Sequence, residues 1–356
     1  ATKTIRAYKG GREVVLQVGN STAYVDQKAI LLDMPPVIKN DRTLVPLRFF
    51  TEAFGAAVGW NDSTRTVTVN TGMLPVSKPD AKPEKYILGY YYSQSYDDFL
   101  ENYDKMSGTA VKWYSLDVNG DVTDQDQGRY ITIPEGYQDM MKAARDNGLK
   151  THMLVFESDS TRLEKVLSTL ESRKRLVDQI MTVVDREGYG GVNIDFEYLK
   201  ASDKERFNEF IQGLYEALKA QGKSLNLSLP VKTEKADWWP GYDYATLGKY
   251  SDFVVLMAYD KDPATPVPQA GIDWVEEVVD YTIARIPAEK VVLGIGYYGY
   301  DWSANGRGTV LPTRNGITYS AMIFADEVTE KYNAKFILDE KSKMAYGQYT
   351  DDRGIY

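Results

Sequence analysis

The sequence predicts an α/β protein: a (β/α)8-type TIM barrel with a small α+β insertion, preceded by a small α+β N-terminal domain. Two observations carry this prediction. From residue 86 onward, apolar strand-like runs alternate with amphipathic helical stretches, as in parallel sheets built from βαβ units. Residues 1–72 instead contain short alternating runs that are separated by turn residues.

The composition excludes several classes of function. The chain of 356 residues has 51 acidic and 42 basic residues, and its net charge of −9 argues against nucleic acid as a partner. It has no cysteine and a single histidine, His152, which excludes disulfides, thiolate chemistry and two-histidine metal sites. We give His152 no chemical role, and we expect no metal and no cofactor. No apolar run approaches 18 residues, so no membrane span is expected.

The first unit, residues 1–72, has the pattern of a small α+β domain. Alternation and turn residues predict strands over 14–18, 24–32 and 64–69 and a short helix over 49–54 that ends at Gly55. Asn40-Asp41 marks a tight turn. This run resembles the N-terminal domain of copper amine oxidases, although it contains neither histidine nor cysteine. Wall binding and a spacer role are both open interpretations.

Residues 73–85 contain three prolines and several charges, which predicts an extended, fairly stiff linker. The catalytic barrel then covers 86–356. We predict its strands over 87–92, 110–116, 150–156, 191–197, 224–230, 253–259 and 291–297. We predict helices over 137–147, 163–186, 204–221 and 275–284. Right-handed crossovers between such strands favour a barrel, whose functional residues lie at the C-terminal ends of the strands.

The eighth strand of the barrel is missing from the predicted pattern. After the seventh strand come a helix near 320–332 and a hairpin over 335–349, which together indicate the small insertion, about 303–356. No strand-like segment follows, so the chain is either a fragment or has a barrel that something else closes. We therefore expect no strand from 335–356 between the first and the seventh strands.

The fourth predicted strand carries two acids on one face. Side chains alternate along a strand, so Asn193, Asp195 and Glu197 share a face, while the residues between them are apolar. The rise of a strand separates Asp195 from Glu197 by roughly 6.5–7 Å. Acids that close couple their titrations, so one holds a proton while the other stays ionised, as a general acid and its charged partner require. The alternative, a pair of surface acids on an edge strand, fits poorly with the glycines and the amphipathic segment before them.

The run Gly-Val-Asn-Ile-Asp-Phe-Glu resembles the signature of glycoside hydrolase family 18, Asp-x-x-Asp-x-Asp-x-Glu at the end of the fourth strand. Its form looks like that of the chitinase-like branch of bacterial spore-cortex and cell-wall N-acetylglucosaminidases. The last two acids match Asp195 and Glu197, whereas Gly190 and Asn193 stand at the other acidic positions. The resemblance implies that Glu197 is the acid and base, that Asp195 steadies the substrate acetamide, and that Asn193 is a neutral hydrogen-bonding neighbour.

Other strand ends supply further candidates. The segment Met257-Ala258-Tyr259-Asp260 resembles the Met-x-Tyr-Asp motif of the same family. The resemblance implies that Tyr259 binds the acetamide and that Met257 and Asp260 line the pocket. Aromatic residues at the ends of strands one, two and seven are candidates for substrate binding, or else for core and rim packing: Tyr90, Tyr92, Tyr114, Tyr297 and Trp302.

The resemblance implies a retaining glycosidase that uses substrate-assisted catalysis on β-1,4 links of N-acetylglucosamine-containing polysaccharide. Peptidoglycan, including spore cortex, and chitin are not distinguished by the sequence. The alternatives are a lectin-like carbohydrate-binding protein and a structural wall protein on the same fold. A polysaccharide partner implies an extracellular, cell-wall or spore-associated location in bacteria, and residues 1–72 are the candidate for wall association.

Overall fold

The structure is a computed structural model that describes residues 3–9, 12–39, 42–54, 57–61, 64–70, 85–92, 95–126, 131–302, 308–310, 313–314, 317–318 and 321–350. The chain divides into two compact units, Ala1–Glu84 and Lys85–Tyr356. The predicted turn at Asn40-Asp41, the helix end at Gly55 and the linker over 73–84 lie outside the described residues.

The N-terminal unit is built on a four-stranded antiparallel sheet. Its strands are adjacent in chain order: Thr4–Lys9, Arg12–Gln17, Thr22–Val25 and Lys28–Leu31. Two separate hairpins, Val37–Lys39 with Arg42–Leu44 and Ala57–Asn61 with Thr66–Asn70, and the helix Leu47–Glu52 complete it. Phenylalanines of the helical segment pack on a small core that includes Val14, Leu16 and Ala23.

The prediction of one strand over 24–32 was wrong, because that stretch forms a hairpin. The chain turns at Asp26 and Gln27, whose φ angles of 48° and 66° are left-handed. Two consecutive residues with positive φ form the tight turn that matches the twist of the flanking strands.

The second unit contains seven parallel strands, each paired with its neighbour in chain order. We number them one to seven as barrel strands: Leu88–Tyr91, Gly108–Leu116, Lys150–Glu157, Gly191–Phe196, Ser224–Leu229, Phe253–Leu256 and Val291–Leu293. Helices separate the strands along the chain: Tyr96–Asn102, Tyr137–Asp146, Ser160–Leu167, Leu170–Glu187, Lys204–Ala220, Tyr244–Lys249 and Ile272–Ile283. A short strand, Val122–Thr123, runs antiparallel to barrel strand two. The predicted α/β barrel architecture is thereby confirmed.

One predicted helix is in fact two. The stretch over 163–186 is divided into Ser160–Leu167 and Leu170–Glu187. The break falls at Thr169, whose hydroxyl accepts from the backbone N–H of Ser172 while the Ser172 hydroxyl accepts from the backbone N–H of Thr169. This reciprocal capping satisfies donors that a new helix start leaves unpaired, so it favours two helices over one.

The first and seventh barrel strands have no further strand between them among the described residues. Barrel strand one pairs with strand two, and strand seven pairs with strand six. The strands Lys335–Leu338 and Ala345–Gln348 pair with each other and follow the helix Ala321–Tyr332, as the predicted insertion requires. No described part of 335–350 therefore occupies the eighth position.

The two faces of barrel strand four meet different surroundings. Ile194 and Phe196 are buried, and Phe196 stacks on Phe210 of the helix Lys204–Ala220 with ring centres 5.8 Å apart. The opposite face points into the barrel, where Asn193 is in register with Asn226 of strand five. Apolar packing therefore holds the strand against the helix layer, and its polar residues are left for the interior.

Candidate active site

Asp195 and Glu197 lie at the C-terminal end of barrel strand four. Asp195 is in register with Phe156 of barrel strand three, and the strand ends at Phe196. The backbone N–H of Glu197 donates to the Glu157 carbonyl at 2.8 Å, which extends the strand pairing by one residue. The two carboxyl groups therefore project from adjacent inward positions at the end of a barrel where functional residues concentrate.

The environment of the pair favours protonation. Burial raises the pKa of Asp195, and the neighbouring Glu197 carboxylate raises it further. Burial also raises the pKa of Glu197. Asp195 is only 7% exposed, and its Oδ1 atom receives no hydrogen bond from any described residue. A pair of this kind titrates as a unit and retains one proton above the usual range of a carboxylic acid.

Tyr242 fixes the backbone on both sides of Glu197. Its hydroxyl donates to the Phe196 carbonyl at 2.6 Å and accepts from the Leu199 N–H at 3.5 Å. The buried ammonium of Lys232 in turn donates to the Tyr242 carbonyl at 2.8 Å. The general-acid candidate thus stands on a short segment that is held at both ends, so its carboxyl has a defined position.

Asn193 belongs to a buried chain of hydrogen bonds that crosses the barrel. Tyr90 donates to the Ser228 hydroxyl at 3.1 Å, and Ser228 donates to Asn193 Oδ1 at 3.2 Å. The Asn193 amide nitrogen donates to Asn226 Oδ1. The expectation that Asn193 is a hydrogen-bonding neighbour of Asp195 differs from the structure, in which its partners are Ser228 and Asn226. An amide suits this position because it must donate and accept at once, which an ionised carboxylate does not do.

The single histidine ends this chain of hydrogen bonds. His152 is fully buried, and its Nδ1 atom accepts from the Asn226 amide at 3.0 Å. Its Nε2 atom therefore carries the proton, which it donates to the Tyr86 hydroxyl at 3.3 Å. Burial lowers the pKa of His152 to about 4, so the ring is neutral. A Cβ at Gly191 would come within 2.7 Å of His152 Nδ1, which explains the glycine that opens barrel strand four.

Two tyrosine side chains face the acid pair, Tyr90 from barrel strand one and Tyr259 from the segment after barrel strand six. Burial raises the pKa of Tyr90 and of Tyr259, and the Asp195 carboxylate raises both further. Both phenols therefore stay protonated and can donate hydrogen bonds. Tyr90 is 44% exposed, although its hydroxyl lies 3.1 Å from the Ser228 hydroxyl in the barrel interior. The structure thus brings Tyr90 and Tyr259 close to Asp195, and their binding of a substrate stays a prediction.

Asp260 is held by residues that the sequence analysis did not single out. The Tyr298 hydroxyl donates to its Oδ2 atom and the Tyr300 hydroxyl to its Oδ1 atom, both at 2.6 Å. Asp260 has a left-handed φ of 61°, which orients its carboxylate toward these partners. Asp260 also raises the pKa of Glu197, so it faces the acid pair.

Tyr114 does not reach the site, contrary to the prediction. Its side chain is 1% exposed, and its hydroxyl lies 3.3 Å from that of Tyr189. The cause is a register shift in barrel strand two, where two residues, Lys112 and Trp113, oppose one residue of barrel strand three. Such a bulge breaks the alternation that a regular strand would keep, and it turns Tyr114 toward the helices.

The remaining candidates lie further out. Tyr297 is 83% exposed, and Tyr92 is also exposed. Met257 is half-buried just beyond barrel strand six. The Trp302 indole N–H donates to the Pro263 carbonyl at 3.2 Å, and its ring packs beside Tyr300. Trp302 and Met257 therefore belong to the loops around Asp260, whereas Tyr297 and Tyr92 expose part of their surface to solvent.

Two features of the site were missed by the sequence analysis. Tyr198 and Trp239 form an aromatic pair with ring centres 5.4 Å apart, directly after Glu197. The signal for it was the Trp238-Trp239 dipeptide after strand five. Lys112 also faces the acid pair, since it lowers the pKa of both acids. The signal for Lys112 was one charge inside an otherwise apolar strand, Ala110–Tyr114 in the sequence.

A separate cavity of about 370 Å³ lies at the opposite end of the barrel, where the strands begin. Lys150, Ser224 and Phe253, the first residues of three barrel strands, line it. It contains neither Asp195 nor Glu197, so it is not the candidate active site. Within the described part of the chain, no group of three or more acidic or histidine residues could hold a metal ion, and no helix is long and apolar enough to span a membrane.

Comparison with known proteins agrees with this geometry. Residues 86–355 match the family described as glycosyl hydrolases family 18. The chain belongs to glycosyl hydrolases family 18. Residues 1–69 match the copper amine oxidase N-terminal domain. Both resemblances inferred from sequence motifs are confirmed, and membership of family 18 places the chain among the glycoside hydrolases.

Several proteins that are similar to this chain come from bacteria. The uncharacterized glycosylase YvbX of Bacillus subtilis (strain 168) is 28% identical over 285 residues, which cover 78% of this chain and 80% of the relative. The cortical fragment-lytic enzyme of the same organism is 29% identical over 219 residues, and the match spans 50% of its length and 55% of this chain. The solved chitinase of Chromobacterium violaceum ATCC 12472 is 26% identical, with 76% of this chain and 84% of that chain covered and a TM-score of 0.66.

Proposed function

We propose that this family 18 member is a retaining glycosidase acting on β-1,4 links of N-acetylglucosamine-containing polysaccharide, with peptidoglycan of the wall or spore cortex, or chitin, as substrate. The observation that carries the proposal is the buried Asp195–Glu197 pair, in which one carboxylate oxygen has no donor. A buried acceptor without a partner is costly unless a ligand satisfies it. The 2-acetamido N–H of an N-acetylated sugar is a donor of the right kind.

The proposed reaction needs no second attacking carboxylate. Glu197 donates its proton to the glycosidic oxygen. At the same time the 2-acetamido carbonyl oxygen of the N-acetylglucosamine residue being cleaved attacks the anomeric carbon of that residue. The bond to the leaving oxygen breaks, and a cyclic oxazolinium ion forms. Glu197, now ionised, takes a proton from water, whose oxygen attacks the anomeric carbon and reopens the ring. Two displacements at that carbon retain its configuration, and such substrate-assisted enzymes are among the exceptions to the two-carboxylate scheme.

The other side chains have supporting roles in this proposal. The ionised Asp195 accepts from the acetamide N–H and stabilises the positive charge of the oxazolinium ion. Tyr259 donates to the acetamide carbonyl, since its phenol stays protonated. Asn193 holds the interior of the barrel through Ser228 and Asn226. Met257, Asp260, Tyr90, Tyr92, Tyr297 and Trp302 bind the sugar chain.

The experiment uses purified spore cortex, vegetative peptidoglycan and chitin oligomers as separate substrates. New reducing ends are labelled by borohydride reduction and identified by mass spectrometry, which separates N-acetylglucosamine ends from N-acetylmuramic acid ends. We expect release from at least one polymer, with no release by Glu197→Gln. Glu205→Gln, at an exposed acid on the helix Lys204–Ala220, is the matched control and keeps full activity. Binding to a polymer without new reducing ends would instead establish a lectin-like function.

Location and wall association belong to the same proposal. The cortical fragment-lytic relative favours a spore-associated enzyme. Residues 1–69 are the candidate for holding it on the wall. Co-sedimentation of the full chain carrying Glu197→Gln with insoluble wall, before and after trypsin cleavage between the units, tests this. Retention of binding by the barrel fragment alone would contradict a role for residues 1–69.

A further inference from the structure

One ammonium group faces the acid pair from barrel strand two. Lys112 lies at the bulge in that strand, and its Nζ atom is 4.0 Å from the centre of the Phe156 ring. Phe156 is in register with Asp195 on the adjacent strand, so both side chains point into the barrel. Lys112 itself lies beside Leu154, which is in register with Asn193, one inward position below Phe156 and Asp195. Its long side chain reaches the ring of Phe156, beside Asp195.

Lys112 has no ion pair with any residue in the described ranges, although it is only partly exposed. An ammonium that loses water needs compensation, and the face of an aromatic ring gives only part of it. Asp195 in turn lacks a hydrogen-bond donor, since its Oδ1 atom is buried and accepts from no described residue. The Phe156 ring keeps the ammonium in place without letting it neutralise Asp195 in a direct salt bridge. The cation therefore acts on the acids through space.

The surroundings of the acids explain why a cation matters here. Besides Lys112, the ionisable groups that face Asp195 and Glu197 are one carboxylate and several phenols: Asp260, Tyr90, Tyr198, Tyr242 and Tyr259. Three carboxylates thus share one ammonium among the described groups. Burial raises the pKa of both catalytic acids, and their repulsion opposes ionising both at once. Lys112 acts against both effects by lowering the pKa of each acid.

We propose that Lys112 is the counter-charge of the acid pair, a positioning residue that keeps one carboxylate of the pair ionised while the other holds the proton. With one proton on the pair, Asp195, Glu197 and Lys112 have no net charge. The inference rests on the proposed roles of Asp195 and Glu197. It adds a residue from a strand outside the sequence motif, and the bulge explains how that residue reaches the site.

A packing role for Lys112 makes a different prediction. If its side chain only covers Phe156, an uncharged side chain of equal length would serve as well. Lys112→Met keeps the stem over the ring and removes the charge. Lys112→Arg keeps the charge with another shape. Lys174→Met, at an exposed position on the helix Leu170–Glu187, removes a lysine that has no contact with the site.

The test measures the side-chain carboxyl titrations of Asp195 and Glu197 by ¹³C NMR in the full chain, with Asp195→Asn and Glu197→Gln used for assignment. Loss of the cation raises the pKa of both acids, so both titrations move to higher pH in Lys112→Met. The expected size is on the order of one pH unit, as for one charge several ångströms away in a protein interior. Lys112→Arg retains most of the wild-type behaviour, and Lys174→Met retains all of it.

The rate of hydrolysis of the polymer that the wild type cleaves fastest gives the second readout. Both limbs of the kcat/KM profile against pH should move upward in Lys112→Met, so activity falls about tenfold on the acid side and is preserved on the alkaline side. The inference is overturned if folded Lys112→Met has wild-type carboxyl titrations, or if Lys112→Arg is shifted as far as Lys112→Met. If no polymer is hydrolysed, the proposed function fails, but the NMR titrations still decide the role of Lys112.

Discussion

The Tyr298 hydroxyl donates a 2.6 Å hydrogen bond to the Asp260 carboxylate, and this bond joins the segments that follow barrel strands six and seven. The two residues are 38 positions apart. Burial and this bond raise the pKa of the Tyr298 phenol, so it remains a donor throughout the working range of the protein. Asp260 follows Tyr259 directly, so the position of Asp260 also determines how Tyr259 is presented to a substrate.

Tyr298→Phe should weaken the site without unfolding the barrel. The ring and its packing against Tyr259 remain, while Asp260 loses one of its donors. A hydrogen bond to a charged group contributes about 1.5–3 kcal/mol, so we expect kcat/KM on the best polymer to fall roughly tenfold to a hundredfold. Tyr24→Phe, in the N-terminal unit, is the control. An unchanged kcat/KM would show that Asp260 is positioned without Tyr298.

The buried histidine should make stability depend on pH. Burial lowers the pKa of His152 to about 4, whereas an unfolded histidine has a pKa of about 6.5. As pH falls from about 6.5 to about 4, the unfolded chain binds a proton that the folded chain does not, so the free energy of unfolding decreases. The complete loss is on the order of 3 kcal/mol and ceases below the folded pKa.

Urea denaturation followed by near-ultraviolet circular dichroism at pH 7, 5.5 and 4.5 measures this effect. His152→Gln has lower stability at pH 7, because it disturbs the contacts with Asn226 and Tyr86. It lacks the titrating ring, so its free energy of unfolding should fall less steeply with acid than that of the wild type. Parallel loss in the two proteins would mean that His152 is not neutral in the folded state.

Local patterns predicted much of the fold. The seven strands follow from apolar runs that alternate with helical stretches along the chain. The shared face of Asp195 and Glu197 follows from side chains that alternate between the two faces of a strand. Both patterns depend only on residues close together in sequence. The prediction for Tyr114 was wrong because the bulge at Lys112 shifts the register between barrel strands two and three. The pattern of residues along one strand does not show such a shift. The hairpin at Asp26 was missed because its turn residues are not glycine or asparagine.

Contacts between distant residues were beyond the sequence patterns. The bond between Tyr90 and Ser228 joins residues 138 positions apart, and the contact of His152 with Asn226 spans 74 positions. A lone histidine has no spacing from which a role could be inferred. The interior hydrogen bonds of the barrel become visible only when the strands that carry them are in register.

The two units should separate on limited proteolysis. We predict that a protease with broad specificity cuts first between Thr71 and Lys85, because three prolines and several charges make this stretch extended and accessible. Each compact unit should then persist as a fragment, one from 1–71 and one from about 85 onward. Mass spectrometry of the first products checks this. First cuts elsewhere, with both flanks of 71–85 equally protected, would contradict a linker.

The last prediction orders three substitutions on barrel strand four. Glu197→Gln is nearly isosteric but has no proton to deliver, so we expect kcat to fall on the order of 10²–10⁴-fold or more while polymer binding persists. Asp195→Asn keeps shape and loses the charge that faces the oxazolinium ion, so turnover slows but does not vanish. Asn193→Ala changes no group that touches the substrate, so it has the smallest effect on kcat.

The free energy of unfolding should rank the same three substitutions in a different order from kcat. The two measurements together therefore distinguish residues that act in catalysis from residues that stabilise the fold. Asn193→Ala removes the donor to Asn226 Oδ1 and the acceptor of the Ser228 hydroxyl proton in the barrel interior, so it costs about 1–3 kcal/mol of unfolding free energy. Asp195→Asn removes a buried charge that has an oxygen without a donor, so it should be neutral or stabilising.

A thiazoline mimic of the cyclic intermediate should inhibit the wild type, because the substrate-assisted route passes through that ring. Wild-type rates in Glu197→Gln on every N-acetylglucosamine polymer would place the general acid elsewhere.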